Sequence, residues 1–209
     1  MAYFRDLIAR RRNQPGDDLL SGLLEAEEQG DKLSEVELLR ILYLLLVAGH
    51  ETTVNLIANG VLAFARHPDQ LERLRADPSL IRCAVEEVLR FDPPVHIVGR
   101  IPLADIELSC GTVHPCERLV TLPAAANHDE RQFNRPEIFD IGRAENRHLG
   151  FGFGAHTCIG SPLARLEGQV ALGTLARRFQ AIELEEDPPP YKDNITLRGI
   201  ATLGVTLHS

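Results

Sequence analysis

A glycine-rich loop that ends in a cysteine is the part of the sequence best suited to chemistry. It reads Phe151-Gly-Phe-Gly-Ala-His-Thr-Cys158-Ile-Gly160. Three glycines within so short a stretch allow the backbone to turn sharply and to approach a flat ligand closely. A helix is predicted just after the cysteine, and a helix N-terminus favours thiolate over thiol. Cys158 could therefore be the axial ligand of a heme iron, and the alternative is a buried structural cysteine in a glycine-rich turn.

A second candidate is the polar pair Glu51 and Thr52, which interrupts an otherwise apolar helical stretch. A buried carboxylate is costly unless it is paired or functional. Gly49 leaves room against a ligand, and Thr52 can bond the carbonyl one turn back and open the helix slightly. Because a threonine in a helix usually only packs, the residues alone leave both interpretations open.

Glu87 and Arg90 stand three residues apart in a further predicted helix, where their side chains share a face and can pair. Most pairs of this kind are exposed and contribute little to stability. Spacing alone therefore leaves open whether this pair is surface decoration or a buried support.

A long helix is predicted from Glu35 to Arg66, because Ser34 and Glu37 form a capping box at its start. Within it, the stretch from Ile41 to Gly49 is strongly apolar. It is too short to span a bilayer, which takes about 18 residues. We therefore expect this stretch to be buried in the middle of the fold.

Shorter elements surround this helix. The first helix is predicted to end near residue 12, and a second to run from a cap at Asp17 or Asp18 to about Glu28. A helix that begins at Pro68 is predicted to end at the break Asp77-Pro78-Ser79, and the next to run from that break to Arg90 or Phe91. A further helix is predicted from Pro162 to about Phe179. A turn is predicted at Gln29-Gly30-Asp31, small strands and hairpins at 95–121, a long ordered loop at 125–157 and a terminal hairpin from Thr196 to Leu207. The expected fold class is mainly α with small β-sheets.

The composition of the chain disfavours some classes of binding partner. The formal net charge of −8 disfavours nucleic acid, whose phosphates an acidic chain repels. The N-terminal residues do not form a secretory signal. The cysteines are Cys83, Cys110, Cys116 and Cys158, and their spacing matches no zinc ribbon or Cys-x-x-Cys motif. We expect reduced thiols in a cytoplasmic protein that has neither a nucleic-acid nor a membrane partner.

Taken together, the motifs resemble those of one family. Phe151-x-x-Gly154-x-His156-x-Cys158-x-Gly160, followed by Leu163-Ala164-Arg165-x-Glu167, resembles the heme-binding signature of the bacterial cytochromes P-450. Ala48-Gly49-His50-Glu51-Thr52-Thr53 resembles the distal-helix motif of that family, and Glu87-Val88-Leu89-Arg90 resembles its Glu-x-x-Arg pair. The resemblance covers nearly the whole chain and implies the P-450 fold, with heme b held by the thiolate of Cys158.

The resemblance also implies a role for each residue. Glu51 and Thr52 would be the catalytic pair that relays protons. The heme-binding positions would be Ala48, Gly49, Arg100, Phe151, Gly152, His156, Cys158 and Gly160, with Arg100 and His156 at the propionates. Glu87, Arg90 and Arg143 would be a structural support that fixes the loop carrying Cys158.

Three other positions carry expectations of their own. Cys116 stands where relatives often have a turn glycine, which puts the tightness of that turn in doubt. His148 is expected in a loop or at the surface, from where it could also reach a propionate. Residues 95–97 are expected on one wall of a substrate pocket.

By resemblance, the function is that of a monooxygenase, which inserts one oxygen atom from O2 into a small organic substrate with electrons from a ferredoxin-type donor. Members of the family are longer, so we expect the C-terminal half of such an enzyme, whose N-terminal half would come from a separate chain, a second copy or a longer parent. The alternatives are a heme-binding module without monooxygenase activity and an inactive remnant. The proton-relay pair favours the enzyme, because a mere heme holder needs no relay.

Overall fold

Helices provide most of the regular structure. The computed structural model describes residues 2–28 and 33–209. Its helices are α1 (Ala2–Asn13), α2 (Leu19–Glu28), α3 (Glu35–Arg66), α4 (Pro68–Ala76), α5 (Ile81–Phe91), α6 (Pro123–Ala126) and α7 (Ser161–Arg178). Its strands are β1 (Val98–Arg100), β2 (Ile106–Leu108), β3 (Gly111–Val113), β4 (Leu119–Thr121), β5 (Ala181–Leu184) and β6 (Val205–His208). The predicted class, mainly α with small sheets, is confirmed. The turn predicted at residues 29–31 lies outside the described residues.

The chain divides into two compact units, Met1–Glu51 and Thr52–Ser209. The first unit contains α1, α2 and the first half of α3. Its core is formed by Ile8, Leu20, Leu24, Leu38 and Leu39. Of the two aspartates predicted to cap α2, it is the Asp18 carboxylate that accepts a hydrogen bond from the Ser21 amide, at 2.9 Å.

The capping box that begins α3 is present as predicted. The Ser34 amide donates to Glu37 Oε2 at 2.8 Å, and the Glu37 amide donates to Ser34 Oγ at 3.3 Å. Two amides that the helix itself leaves without partners are thereby satisfied. This accounts for the agreement between the predicted and observed start of the helix.

The second unit is built on the packing of α5 and α7 and of the C-terminal half of α3. Its core is formed by Leu56, Ala63, Phe64, Leu71, Leu74, Ala84, Val85, Val88, Leu89, Phe139, Ile141, Leu172, Ala176 and Ile182. Two glycines permit the close approach of these helices. A Cβ on Gly60 of α3 would lie 2.7 Å from a methyl group of Leu172, and a Cβ on Gly168 of α7 would lie 3.2 Å from a methyl group of Val85.

Each of the three small sheets is an antiparallel pair: β1 with β4, β2 with β3, and β5 with β6. The terminal hairpin predicted from Thr196 to Leu207 is wrong. The last strand pairs with β5, directly after α7, and residue Leu197 instead bridges to Val95. Alternation of apolar residues marks a strand but not its partner, which explains the error.

The apolar stretch predicted to be buried in α3 is exposed, so that prediction is also wrong for this chain. Side chains from Tyr43 to Val47 are between 39% and 62% exposed. Burial needs a covering surface, and residues 2–28 and 33–209 do not provide one there. The helix is long and apolar enough to cross a bilayer, a criterion that core helices of soluble proteins also meet.

The segment between α6 and α7 is the long ordered loop that the sequence predicts. Apart from one 3₁₀ turn at Gly154–His156, residues 127–160 contain no regular element. Phe133, Phe139 and Ile141 are nevertheless buried, so the loop is packed against the core. This packing gives the cysteine at the end of the loop a defined position.

Candidate active site

The cysteine loop runs from Phe151 to Gly160 and ends at the N-terminus of α7. Gly152 and Gly154 have φ angles of 73° and 78°, a conformation that residues with a Cβ rarely adopt. Between them and the helix, the Cys158 amide donates to the Phe151 carbonyl at 2.9 Å and closes the loop. The two glycines therefore create the turn that presents Cys158 just before α7.

Cys158 is exposed in this chain, which disagrees with the alternative of a buried structural cysteine. All four cysteines of the chain are free thiols. A Cβ built on Gly160 would lie 3.9 Å from the Cys158 sulfur, at ordinary van der Waals distance, so residue 160 lies directly beside the thiol. Large apolar side chains flank the thiol without being buried: Phe153 is 85% exposed and Ile159 is 93% exposed.

These surroundings fit a heme. Its iron needs one axial donor from the protein, its ring needs an apolar surface, and its propionates need cationic or hydrogen-bonding groups. Cys158, the apolar side chains beside it, and the exposed residues Arg100 and His156 are of these kinds. Within residues 2–28 and 33–209, no cluster of three or more His, Cys, Asp or Glu is arranged for a metal ion. The exposed Cys158 thiol is therefore the candidate axial donor.

The loop is anchored on the buried carboxylate of Glu87 in α5. Arg90 donates to it twice, from Nη2 at 2.8 Å and from Nε at 2.9 Å. From the loop, Arg143 Nε donates at 3.1 Å, Asn146 Nδ2 at 3.1 Å and the Asp140 amide at 3.0 Å. The Glu-x-x-Arg pair is therefore buried, and Arg143 joins it. Asn146 is a further member that the sequence did not suggest.

Arg90 extends the anchor to the loop backbone. Its guanidinium donates to the carbonyls of Asn127, Pro136 and Ile138 at 2.8–3.1 Å. Arg143 donates to the carbonyls of Asn134, Arg135 and Ile138 at 2.8–3.3 Å. The buried guanidinium of Arg90 and the partly buried one of Arg143 thus satisfy carbonyls that no helix or sheet pairs, which explains how an irregular loop can be packed.

Glu86, the neighbour of Glu87, is a member of the site that the sequence motifs did not indicate. Its carboxylate accepts from Arg165 Nε at 2.6 Å and Nη2 at 3.0 Å, and from His148 Nε2 at 2.9 Å. Burial acts to raise the pKa of Glu86, but the hydrogen bonds from His148 and Arg165 outweigh it and lower the pKa to about 2. The signal for it in the sequence is the doublet Glu86-Glu87, because consecutive residues of a helix such as α5 point to different sides.

His148 lies in the long loop, which was one of its two expected settings, but its side chain is not at the surface. Its side chain is only 3% exposed. The Gly150 amide donates to His148 Nδ1 at 3.0 Å, so this nitrogen is the acceptor and the proton lies on Nε2, which faces Glu86. Both ring nitrogens are engaged within the protein, and the alternative contact to a propionate is not compatible with this arrangement.

The residues of the distal-helix motif lie in α3, on both sides of the division between the two units. Ala48 and Gly49 are exposed, and Glu51 is half-buried at the end of the first unit. Thr52, also half-buried, begins the second unit. A Cβ on Gly49 would meet no atom within 4 Å, so this glycine leaves open space beside the helix.

The comparisons with known proteins agree with the motifs. The family model for cytochrome P450 matches residues 4–205. Cytochrome P450 CYP107DY1 of Priestia megaterium is 47% identical over 204 residues, which cover 97% of this chain and 50% of that protein. The biotin biosynthesis cytochrome P450 of Bacillus subtilis is 44% identical over 206 residues, covering 99% of this chain and 52% of its own length.

Solved structures show the same relationship. P450BioI, crystallised with a hexadec-9Z-enoic acid-ligated acyl carrier protein, superposes with a TM-score of 0.93 at 43% identity, over 100% of this chain and 53% of that one. CYP164A2 of Mycobacterium smegmatis with econazole bound gives a TM-score of 0.92 at 50% identity, over 98% and 51% of the two chains.

The fold and the cysteine loop define a protein of the heme-thiolate class. The chain belongs to the cytochrome P450 family, in its bacterial form. It spans about half the length of the curated relatives that it matches.

Proposed function

We propose that the chain carries the heme-thiolate centre of a monooxygenase that inserts one oxygen atom from O2 into a small organic substrate. The observation that carries this proposal is the exposed thiol of Cys158, at the end of a loop that is anchored by buried charges and leads into α7. One relative, from Pseudonocardia autotrophica, is a vitamin D(3) 25-hydroxylase that is 46% identical over 209 residues. An anchored loop with an open thiol is what an axial ligand requires.

In this proposal, heme b is held mainly by the second unit. The Cys158 thiolate is the axial ligand, while Phe151, Gly152 and Gly160 leave a flat approach to it. Arg100 and His156 bind the propionates. When bound, a thiolate-ligated heme supplies the activation of O2.

Residues of α3 would leave room for the cofactor or substrate and would provide the proton relay. Ala48 and Gly49 lack bulk that would obstruct a cofactor or substrate, and a Cβ on Gly49 would meet no atom within 4 Å. Glu51 and Thr52, consecutive in the helix, provide a carboxylate and a hydroxyl that can pass protons from solvent toward the heme.

The substrate wall that we propose is formed by residues 95–97. The His96 amide donates to the Thr196 carbonyl at 2.9 Å, and Val95 bridges to Leu197, so the C-terminal segment adjoins this wall. P450BioI, one of the related proteins, was crystallised in complex with a ligated acyl carrier protein. For this chain we propose only a small organic substrate, a ferredoxin-type electron donor and a cytoplasmic location, without nucleic acid or membrane as a partner.

Because the chain spans about half the length of its curated relatives, we propose that turnover needs an N-terminal half from another chain, a second copy or a longer parent. A heme-binding module without oxygenation and an inactive remnant are the competing outcomes. Addition of a relative's N-terminal half to the heme-loaded chain distinguishes them. Oxygenation of a test substrate supports the enzyme, and stable heme without turnover under any pairing supports the module.

The direct test of the centre is the carbon monoxide difference spectrum of the reduced chain after reconstitution with hemin. We expect the red-shifted band of a thiolate-ligated heme. Cys158→Ala should lose the band, while Cys83→Ser, which removes another exposed thiol, should keep it. Persistence of the band in Cys158→Ala would show that the ligand is assigned wrongly.

A further inference from the structure

Glu86 offers an ionic anchor that is distinct from the one on Glu87. The two carboxylates are adjacent in α5, yet their partners do not overlap: Glu87 binds Arg90, Arg143, Asn146 and the Asp140 amide, whereas Glu86 binds His148 and Arg165. Glu87 therefore holds the upstream part of the long loop. Glu86 holds the part that immediately precedes the cysteine.

We propose that Glu86 is a positioning residue for Cys158, and that it acts through His148 on one side of the cysteine loop and through Arg165 on the other. The proposal rests on the proposed function in so far as the position of the thiol matters for heme. The claim that Glu86 fixes the loop does not depend on heme and can be tested on the chain without heme.

The His148 side of the connection is continuous. Glu86 accepts from His148 Nε2, and His148 Nδ1 accepts the Gly150 amide at 3.0 Å. Gly150 itself lies directly on α5, since a Cβ there would stand 2.8 Å from the Leu89 carbonyl oxygen. The imidazole thus sets the path of the backbone just before Phe151.

The Arg165 side reaches the same point from α7. The guanidinium carbon of Arg165 lies 4.5 Å from the centre of the Phe151 ring, a cation–π contact. The Phe151 carbonyl in turn accepts the Cys158 amide at 2.9 Å. Because Glu86 holds Arg165 through two hydrogen bonds, the arginine has a fixed plane on which the Phe151 ring rests.

The chemistry of these contacts requires an anionic acceptor at residue 86. His148 must present a donor on Nε2 because its Nδ1 is already an acceptor, and Arg165 presents only donors. A Glu86→Gln side chain would turn its amide NH2 toward one of these donors. One hydrogen bond would be lost and a partly buried donor would be left facing another donor.

The test is amide hydrogen exchange of the full chain, read by mass spectrometry on peptides that cover residues 149–158. Glu86→Gln should accelerate exchange there about tenfold, because charge-assisted bonds limit the local opening. Peptides of the α5 and α7 cores should change by less than about twofold. The matched control is Asp140→Asn, which removes an ion pair with Arg73 from the same long loop without touching residues 148–151.

A double-variant comparison tests whether Glu86 acts through its partner. Arg165→Lys keeps the charge but loses the planar fork. If the proposal holds, Glu86→Gln combined with Arg165→Lys exchanges much more slowly than the product of the two single effects predicts. Unchanged exchange at 149–158 in Glu86→Gln, equal acceleration across all helices, or multiplicative single effects would each overturn the proposal.

Reconstitution with hemin separates this proposal from the function proposed above. If the unmodified chain gives no thiolate band, the proposed function fails, and the exchange data still decide the role of Glu86. If it does give the band, Glu86→Gln should lower the fraction of hemin bound through thiolate, and Asp140→Asn should not. An equal fraction in both variants would show that the loop position does not affect the thiol.

Discussion

Glu87 and Arg90 lie three residues apart on α5 and are both fully buried, joined by two parallel hydrogen bonds of 2.8 and 2.9 Å. An ion pair of this kind is tolerated only where every remaining hydrogen-bonding position also has a partner. The loop supplies those partners on both sides: donors for the carboxylate and carbonyls for the guanidinium. The loop before the cysteine and the helix beneath it therefore depend on each other.

Removing one charge of this pair should be strongly destabilising. For Glu87→Gln, we expect the free energy of unfolding to fall by about 3–5 kcal/mol, because the buried guanidinium of Arg90 is left without a carboxylate. Urea unfolding followed by circular dichroism measures this. Arg73→Lys, which alters a half-exposed pair with Asp140, should cost less than about 1 kcal/mol. A loss below that level in Glu87→Gln would contradict the structural role.

The contribution of Glu86 should depend on pH in the acid range. Its pKa is lowered to about 2 from an ordinary value of 4.5, so the folded state favours the ionised carboxylate. The stabilisation is fully present above about pH 4.5 and is lost as the pH falls toward 2. The difference in unfolding free energy between the unmodified chain and Glu86→Gln should therefore shrink over this window. A difference that stays constant from pH 6 to about 2.5 would show that the carboxylate charge is not involved.

Gly49→Ala should affect stability and heme binding in opposite directions. Position 49 is an exposed helix interior with no atom within 4 Å of a new Cβ, so alanine should stabilise the chain by up to about 1 kcal/mol. If Gly49 faces the heme as proposed, the same methyl group should weaken hemin binding. Thermal unfolding and hemin titration test the two effects. Unimpaired hemin binding in a stabilised variant would remove Gly49 from the site.

Gly60→Ala, on the same helix, should destabilise the chain, whereas Gly49→Ala should stabilise it. Its Cβ would stand 2.7 Å from a Leu172 methyl group where α3 meets α7. Overpacking should cost about 1–3 kcal/mol and outweigh the better helix propensity of alanine. Chemical denaturation provides the measurement, and Gly49→Ala is the matched control. A stabilised Gly60→Ala variant would mean that the helices can move apart freely.

Cys116, whose presence in place of a turn glycine put the tightness of the turn in doubt, has a φ angle of 70°. The backbone turn is thus retained, at the expense of a conformation that side chains with a Cβ disfavour by about 1–2 kcal/mol. Cys116→Gly should therefore raise the unfolding free energy, by roughly 0.5 kcal/mol after the entropy of glycine is subtracted. Cys110→Gly, at a position without a positive φ, should lower it. Equal effects of the two substitutions would argue against strain at residue 116.

Local signals were enough to predict most helix boundaries. The capping box at Ser34 and the proline at position 68 lie where α3 and α4 begin. Such signals act through backbone groups within one helical turn, so they can be read without knowledge of the fold. The site itself was predicted from the resemblance of its motifs to those of the cytochromes P-450, and the structure brings Glu87, Arg90 and Arg143 together.

Long-range partners could not be predicted from local sequence. Nothing near Glu86 indicates that it will meet Arg165, which follows 79 residues later. For the same reason, the partner of β6 and the buried position of His148 were missed. The exposure of Tyr43 and its neighbours depends on what covers the helix, which is a property of the whole fold and not of the helix.

The three loop groups bound to Glu87 also bear on how the chain folds. Burial of a carboxylate and a guanidinium costs little free energy only when residues 134–146 are already in place to form hydrogen bonds with them. Until then, α5 cannot be fully buried. Ordering of the cysteine loop and collapse of the whole chain therefore take place in one transition. A chain with this arrangement should show no stable intermediate in which the helices are native and the thiol-bearing segment is still unstructured.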